Sequence, residues 1–165
     1  MKKDIIKAVV LFFTLLLLFG SSRVCLADES TEIEPGWRVG PIIISMTKAD
    51  IERVYGTGEV FIIPDEEKKA NYMLLQYKNL GLNFIFKNDQ ISQMEVNYPN
   101  YQVKEVIKVG STVSQVEETM GKNYIRENYV HSYQTNLPDY KMIYRGILFF
   151  IKQDRVVKIT VVKEN

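Results

Sequence analysis

SMTKADIERVYG, at residues 45–56, is the stretch that decides the fold, because a related stretch, GSTVSQVEETMG, stands at residues 110–121. In each copy a Thr is followed three residues later by Asp or Gln, which is the pattern of a helix capping box. A short apolar stripe follows, and a Gly, which often ends a helix, closes the copy. The two copies predict two short helices, at 48–55 and 113–120. Helices of this length do not persist alone in water, so each is expected to lie against a sheet.

A predicted β-hairpin follows each copy at the same distance. Gly81 opens the apolar stretch 82–87, Asn88 and Asp89 form a turn signal, and 91–96 is the return strand. In the second copy, the corresponding elements are Gly146, the strand 147–152, the turn at Gln153 and Asp154, and the return strand 156–162.

The two halves of the chain align without a gap. Residues 42–96 match residues 107–161, and ten of these 55 positions are identical, mostly at cap, stop, turn and core positions. We therefore predict an α+β fold built from two tandem repeats of about 65 residues. Repeat 1 covers 37–101 and repeat 2 covers 102–165, and each has a short helix packed on an antiparallel sheet. The unmatched middles, 57–70 and 122–135, are expected to form variable loops or strand ends. Within the first of them, the apolar, β-branched run 60–63 is expected to be a strand and 64–69 a charged loop.

Alternation along the hairpins predicts which side chains face the helices. The predicted inner face consists of Leu82, Phe84, Phe86, Met94, Val96, Ile147, Phe149, Ile151, Val157, Ile159 and Val161. The predicted outer face consists of Asn83, Ile85, Ile91, Gln93, Glu95, Leu148, Phe150, Val156, Lys158, Thr160 and Val162. The outer face of repeat 2 is more apolar than a solvated face requires. Its apolar side chains are expected either to pack against repeat 1 or to form a partner surface.

The first 27 residues have the layout of a secretory signal peptide. Three Lys residues precede the apolar run 8–19, and Cys25-Leu26-Ala27 offers a small-x-small cleavage site. The apolar run is short for a membrane span, so cleavage after Ala27 is expected, with an uncleaved anchor or lipidation at Cys25 as alternatives. The polar, acidic segment 28–36 is then expected to be a flexible leader.

Composition excludes several classes of partner and chemistry. Cleavage after Ala27 leaves 138 residues without Cys, so neither a disulfide nor thiol chemistry is expected. It removes four of 21 basic and one of 20 acidic residues, leaving 17 and 19. Without a basic patch, nucleic acid is not an expected partner. The predicted location is secreted or extracytoplasmic, in the periplasm or cell envelope.

The repeated unit, from Ser45-Met46-Thr47 to Gly56 and a hairpin opened by Gly81, resembles the outer-membrane assembly lipoproteins of SmpA/OmlA type. Its tandem form is similar to the β-lactamase inhibitor protein fold. The resemblance implies a short helix on an antiparallel sheet in each unit, and two units joined in one curved sheet with a concave binding face. Ser45 stands where that pattern commonly has Gly, and the inhibitor proteins carry disulfides. No inhibitory residue is implied for this chain.

No recognisable catalytic or metal site is present in the sequence. His131 is the only His, and a metal site needs several ligands. The acidic run 65–67 is followed directly by Lys68 and Lys69, which indicates a solvated loop. No nucleophile motif surrounds Ser111 or Ser114, and no phosphate-binding loop follows Gly56. Neither enzymatic activity nor a cofactor is expected.

Tyrosines are the best functional lead. All ten lie after residue 27, and Tyr is enriched at binding sites because it combines large contact area with a hydrogen-bonding hydroxyl. The first hypothesis is a protein–protein interaction module that binds another extracytoplasmic protein. The alternative is a binder of a glycan or small ligand through Tyr-rich loops. The candidate binding residues are Tyr124, Tyr129, Tyr133, Tyr140, Tyr144, Leu148 and Phe150, although such tyrosines are also expected as half-buried residues at the rim of a core.

Overall fold

The structure is a computed structural model that describes residues 30–65, 70–129 and 137–164. The predicted signal peptide, Ala27 and Cys25 lie outside these residues, as do Tyr133 and His131. The strands of the first half are β1 (Glu32–Glu34), β2 (Arg38–Val39), β3 (Ile42–Ile43), β4 (Glu59–Asp65), β5 (Ala70–Tyr77), β6 (Leu82–Lys87) and β7 (Gln90–Val96). Those of the second half are β8 (Gln102–Val103), β9 (Ile125–Asn128), β10 (Tyr140–Tyr144), β11 (Ile147–Lys152) and β12 (Arg155–Val162). The helices are α1 (Lys48–Tyr55) and α2 (Val113–Met120).

The predicted α+β class is wrong, because the described part of the chain is mainly β. Its two α-helices have only eight residues each and bury a single side chain apiece, Ile51 and Val116. Strand β4 continues into the start of the predicted charged loop, and β9 lies in a segment that the sequence left open between loops and strand ends. Val60 to Ile63 is β-branched or aromatic throughout, and Pro64 is tolerated in β4 because this strand lies at a sheet edge.

One eight-stranded antiparallel sheet runs through both halves in the order β4-β5-β6-β7-β12-β11-β10-β9. The halves meet where β7 pairs with β12, with Glu95 opposite Thr160 and Val96 opposite Ile159. A smaller sheet, in the order β3-β2-β1-β8, completes the fold. Its Ile33, Val39 and Val103 belong to the same buried cluster as the inner face of the large sheet.

Both helices begin and end where the sequence predicts. The Thr47 hydroxyl accepts a 3.3 Å hydrogen bond from the Asp50 amide, and Thr112 accepts one of the same length from Gln115. The side chains of Asp50 and Gln115 accept from the cap amides in return, which completes both capping boxes. These bonds satisfy amides at the helix start that have no partner inside the helix.

The predicted inner face is confirmed except at two β-bulges. Register shifts between β6 and β7 and between β11 and β12 each insert one extra residue into the return strand. The alternation therefore changes at the hairpin tips. Ile91 and Val156, predicted outside, are buried, whereas Val157, predicted inside, is 38% exposed.

Residues 28–36 were predicted to be a flexible leader, but Glu32–Glu34 within this segment form strand β1. This strand pairs in parallel with β8 and buries Ile33 in the core. The following Gly36 amide donates a 2.9 Å hydrogen bond to the carbonyl of Gly146. The start of the described chain is thus attached to the second half.

The halves correspond closely in position. Helix α2 and strand β11 lie 65 residues after α1 and β6. Tyr77 and Tyr144 depart from this 65-residue spacing. They are 67 residues apart, but the hydroxyl of each donates to the carbonyl of the Gly that ends the helix of its own half. A 3-10 turn, Lys78–Leu80, precedes Gly81, whereas only Arg145 separates Tyr144 from Gly146. The origin of the repeats by tandem duplication remains a hypothesis.

Candidate protein-binding surface

The predicted tyrosine cluster divides between two sides of the large sheet. Tyr144 is buried, its ring meets Phe149 edge-on at 5.8 Å, and its hydroxyl donates to the Gly121 carbonyl. Tyr124 packs 5.5 Å from Tyr144 and donates to Glu117 of α2. Tyr140 is half-buried against the core beneath Arg126, whose guanidinium lies 3.7 Å from the ring centre. These three residues make contacts within the second half, and their role as binding residues stays a prediction.

Tyr129 lies on the outer face, with two other residues predicted as binding residues. Its ring centre is 6.2 Å from that of Phe150, and Leu148 precedes Phe150 by two residues on the same face of β11. All three side chains are half-buried. The structure thus brings these three candidate residues together on one face, and Tyr133 lies outside the described residues.

The neighbouring strands extend this group into an apolar patch. Ile125, Ile143 and Leu148 lie side by side across β9, β10 and β11. Ile125 is 69% exposed. We call Ile125, Tyr129, Ile143, Leu148 and Phe150 the outer-face patch. A contiguous group of aromatic and branched aliphatic side chains is not required on a sheet face that meets only water.

Two lysines lie on the rings of the outer-face patch. Lys158 Nζ is 4.2 Å from the centre of the Phe150 ring and forms a 2.6 Å ion pair with Glu95. Lys141 Nζ is 6.0 Å from the centre of the Tyr129 ring and 2.9 Å from Glu127. Each ammonium group therefore has a carboxylate and an aromatic ring beside it.

A polar network borders the patch at the centre of the sheet. Gln76 donates to Asn83, and Asn83 donates to Glu95, both at 3.0 Å. Glu95 is 14% exposed and also accepts from Lys158. Beside it, the buried Thr160 hydroxyl has no hydrogen-bond partner among the described residues. The network separates the outer-face patch from the apolar side chains of the first half.

The sequence predicted a strand at 60–63, but not that this strand, β4, forms a second apolar surface at the edge of the sheet. Its residues Val60 to Ile63 are 42–62% exposed. Phe61 lies opposite Leu74 on the outer face, whereas Val60 lies opposite the buried Leu75 on the inner face. The signal was present in the sequence, because four strand-forming residues followed directly by Pro indicate an edge strand.

The opposite edge of the sheet has a different character. Strand β9 has four residues, and Arg126, Glu127 and Asn128 make up most of it. Short, charged edge strands disfavour the addition of another strand. Of the two edges of the large sheet in the described part of the chain, only β4 therefore combines length with an apolar surface.

A shallow cleft of about 400 Å³ lies at the end of α1. It is lined by the rings of Tyr55 and Tyr77 and by the Glu59–Lys78 ion pair, whose atoms are 2.8 Å apart. The hydroxyl of Tyr77 donates to the Gly56 carbonyl, and that of Tyr55 lies 3.2 Å from the Tyr101 hydroxyl. Both rings are therefore fixed, and their hydroxyls are already engaged within the protein.

Burial is the main influence on the pKa of Tyr144 and of Tyr129. It raises the pKa of Tyr144 to about 12 and also raises the pKa of Tyr129, so neither supplies a phenolate near neutral pH. Among the described residues, no three His, Cys, Asp or Glu side chains are arranged to hold a metal ion. The expectation of a protein without cofactor or enzymatic activity stays a prediction.

The helices of the described residues were compared with the length and hydrophobicity that a membrane span requires. Neither is long and apolar enough to cross a bilayer.

Comparison with known proteins gives a likeness in fold. No protein-family profile and no curated protein matches the sequence. The chain is similar to the 1.5 Å crystal structure of an extracellular protein containing a SCP domain from Bacillus anthracis str. Ames, with a TM-score of 0.50 and 10% identity. The likeness covers 73% of this chain but only 44% of that one. At this identity it concerns the fold alone, and the resemblance to the SmpA/OmlA and inhibitor proteins remains a prediction.

Proposed function

We propose that this protein is an exported protein–protein interaction module, and that the outer-face patch binds another extracytoplasmic protein. The observation that carries the proposal is that Phe150 and Leu148 lie half-buried on the face of the sheet opposite the buried core cluster. On a sheet face that meets only water, polar residues are expected at these positions. The first half has such a residue, Asn83, at the position that corresponds to Leu148.

The chemistry of the patch favours a folded protein as the partner. Phe150 and Tyr129 supply aromatic area near the centre, and the Lys141 and Lys158 ion pairs stand around it. Aromatic anchors bordered by satisfied polar groups are typical of the residues that dominate protein–protein affinity. The polar network at Glu95 would form one rim of the contact.

Export is part of the proposal. The N-terminal residues have the composition of a signal peptide, and the structurally similar protein is described as extracellular. We propose cleavage after Ala27 and a location in the cell envelope or outside the cell. N-terminal sequencing of the exported product tests the cleavage site, and a product that retains residues 1–27 would contradict it.

The binding test uses the internal correspondence of the halves. Leu148 and Phe150 correspond to Asn83 and Ile85, so Leu148→Asn/Phe150→Ile gives the second half an outer face that this fold already carries. The exported protein is used to capture partners from its own envelope, and the captured protein is then purified and titrated. The double variant is expected to bind at least about tenfold more weakly, a loss of about 1.4 kcal/mol.

Ile85→Ala, at the position corresponding to Phe150, is the matched control. It is expected to retain the affinity of the wild type, since it lies in the first half and outside the outer-face patch. Equal binding by the wild type and the double variant would overturn the proposal, provided that both give the same circular dichroism spectrum.

The cleft at Tyr55 and Tyr77 supports a second candidate function, the binding of a glycan or small ligand. Two rings and an ion pair around about 400 Å³ suit a small polar ligand with an apolar side. A glycan array with the exported protein tests this candidate, with Glu59→Gln as the variant. Binding that is lost in Glu59→Gln and kept in Leu148→Asn/Phe150→Ile would favour the cleft over the outer-face patch.

A further inference from the structure

Strand β4 presents apolar side chains on both faces of an unpaired edge. Phe61 and Ile63 lie on the outer face, Val60 and Ile62 lie on the inner face, and all four are exposed. The backbone groups of β4 on the side away from β5 have no strand beside them within the described structure. A partner that pairs with this edge must supply a strand whose backbone forms hydrogen bonds with β4 and whose side chains are apolar on both faces.

We propose that this partner is the β4 strand of a second copy of this chain. The two strands would pair antiparallel about a two-fold axis perpendicular to the sheet and join two eight-stranded sheets into one. A second β4 has the properties that this edge requires of a partner, because it is an extended segment with apolar side chains on both faces. This dimer is independent of the outer-face patch and goes beyond the function proposed above.

Symmetry and charge select between the two registers that centre on the exposed apolar run 60–63, one at Phe61 and one at Ile62. Paired residues must share a face, so the axis passes through a residue rather than between two. Centring on Ile62 would place Glu59 opposite Asp65 of the other copy, and like charges directly opposite are destabilising. Centring on Phe61 places Glu59 opposite Ile63 and avoids this repulsion. The geometry thus pairs Phe61 with Phe61 and Val60 with Ile62.

Two features limit the assembly to a dimer. Pro64 has no amide hydrogen, so the ladder ends just beyond Ile63. The opposite edge, β9, is short and charged, and does not offer a second site for strand addition. A two-fold contact also uses the same surface of both copies, so the assembly closes on itself and does not extend into a fibre.

A contact made by one strand from each copy is expected to be smaller than a standard interface, which buries about 1,600 Å². A reversible dimer in the micromolar range is therefore expected. The full chain is expressed in an exporting bacterial host, and the exported product is studied by sedimentation equilibrium over a range of concentrations. Ile62→Lys is expected to weaken the dimer at least about tenfold, and Leu148→Asn/Phe150→Ile is expected to leave it unchanged.

Cysteine cross-linking tests the register, in a Cys25→Ser background. Phe61→Cys is expected to form a disulfide-linked dimer under mild oxidation, because the two Cβ atoms face each other at the axis. Ile62→Cys is expected to cross-link poorly, because its counterpart would be two residues away along the strand and more than about 7 Å distant. Glu127→Cys, on the other edge, is the control.

The outcomes are distinct. A dimer that Ile62→Lys weakens and Phe61→Cys traps supports the proposal. A protein that stays monomeric at every concentration overturns it, as does a dimer unaffected by Ile62→Lys or trapped best by Glu127→Cys. Preferential trapping by Ile62→Cys overturns the assigned register. Loss of partner capture in Leu148→Asn/Phe150→Ile with an intact dimer shows that the two surfaces act separately.

Discussion

The hydroxyl of Tyr144 donates a 2.7 Å hydrogen bond to the carbonyl oxygen of Gly121, the residue that ends α2. Tyr77 makes the same 2.7 Å bond to Gly56 at the end of α1. Carbonyls at a helix end lack partners within the helix, so each tyrosine satisfies one of them and ties the helix to the sheet. Tyr144 is therefore a structural residue.

Tyr144→Phe removes this hydrogen bond while keeping the ring against Phe149. The free energy of unfolding is expected to fall by about 1 kcal/mol, the usual net value of such a bond, with some addition from the unsatisfied carbonyl. Urea unfolding followed by circular dichroism measures it. Tyr98→Phe, at an exposed residue, is the control and is expected to change stability by less than about 0.5 kcal/mol. A loss of partner binding in Tyr144→Phe without destabilisation would contradict the structural role.

Stability is expected to fall at high pH. Burial, followed by the charges of Tyr124 and Glu117, raises the pKa of Tyr144 from 10.0 to about 12. Burial is also the main cause of the raised pKa of Tyr77. The folded state thus favours the neutral phenol, so this contribution is complete below pH 10 and is lost as the pH rises toward 12. Unfolding midpoints between pH 9 and pH 12 are expected to decrease, and the stability difference between the wild type and Tyr144→Phe is expected to shrink. A constant difference across this range would contradict the assignment.

Local signals in the sequence predicted the helices and hairpins well. Thr47 and Thr112 cap the helices because that preference depends on a few neighbouring backbone groups. The turns at Asp89 and Asp154 were equally local, and both residues adopt positive φ. Tyr144 and Tyr129 show the limit of such reasoning. One is buried and the other lies on the outer face, and only the path of the strands decides which.

The errors in the fold arose where tertiary pairing determines structure. The acidic segment at Glu32 and Glu34 has no strong strand signal of its own, and it becomes a strand because Ile33 is buried and β8 supplies a partner. Strand β9, with Arg126 and Glu127, is likewise a strand because β10 pairs with it. Such segments add strands that composition and periodicity do not predict.

Gly146 joins the halves at a point where no side chain fits. Its φ is +74°, and a Cβ there would lie 2.5 Å from the amide nitrogen of Gly36. Gly146→Ala is expected to combine backbone strain of about 1–2 kcal/mol with a collision costing about 1–3 kcal/mol more. Gly110→Ala is the matched control, because Gly110 also has positive φ but open space around its Cβ position. Thermal unfolding compares the two variants, and equal destabilisation would contradict the close approach of Gly36 and Gly146.

Substitutions of Val156 and Val157 test the β-bulge in β12, which reverses the faces predicted for these two residues. Val156 is 1% exposed and lies opposite Ile151, whereas Val157 is the extra, 38% exposed residue. Val156→Asp places an unpaired carboxylate in the core and is expected to prevent stable folding, since burial of an isolated charge costs several kcal/mol. Val157→Asp is expected to cost less than about 1 kcal/mol, because its carboxylate remains solvated. The yield of soluble protein and its thermal midpoint measure both effects. Without the bulge, Val157 would be buried and Val156 exposed. A larger loss of stability in Val157→Asp than in Val156→Asp would therefore show that β12 has no bulge.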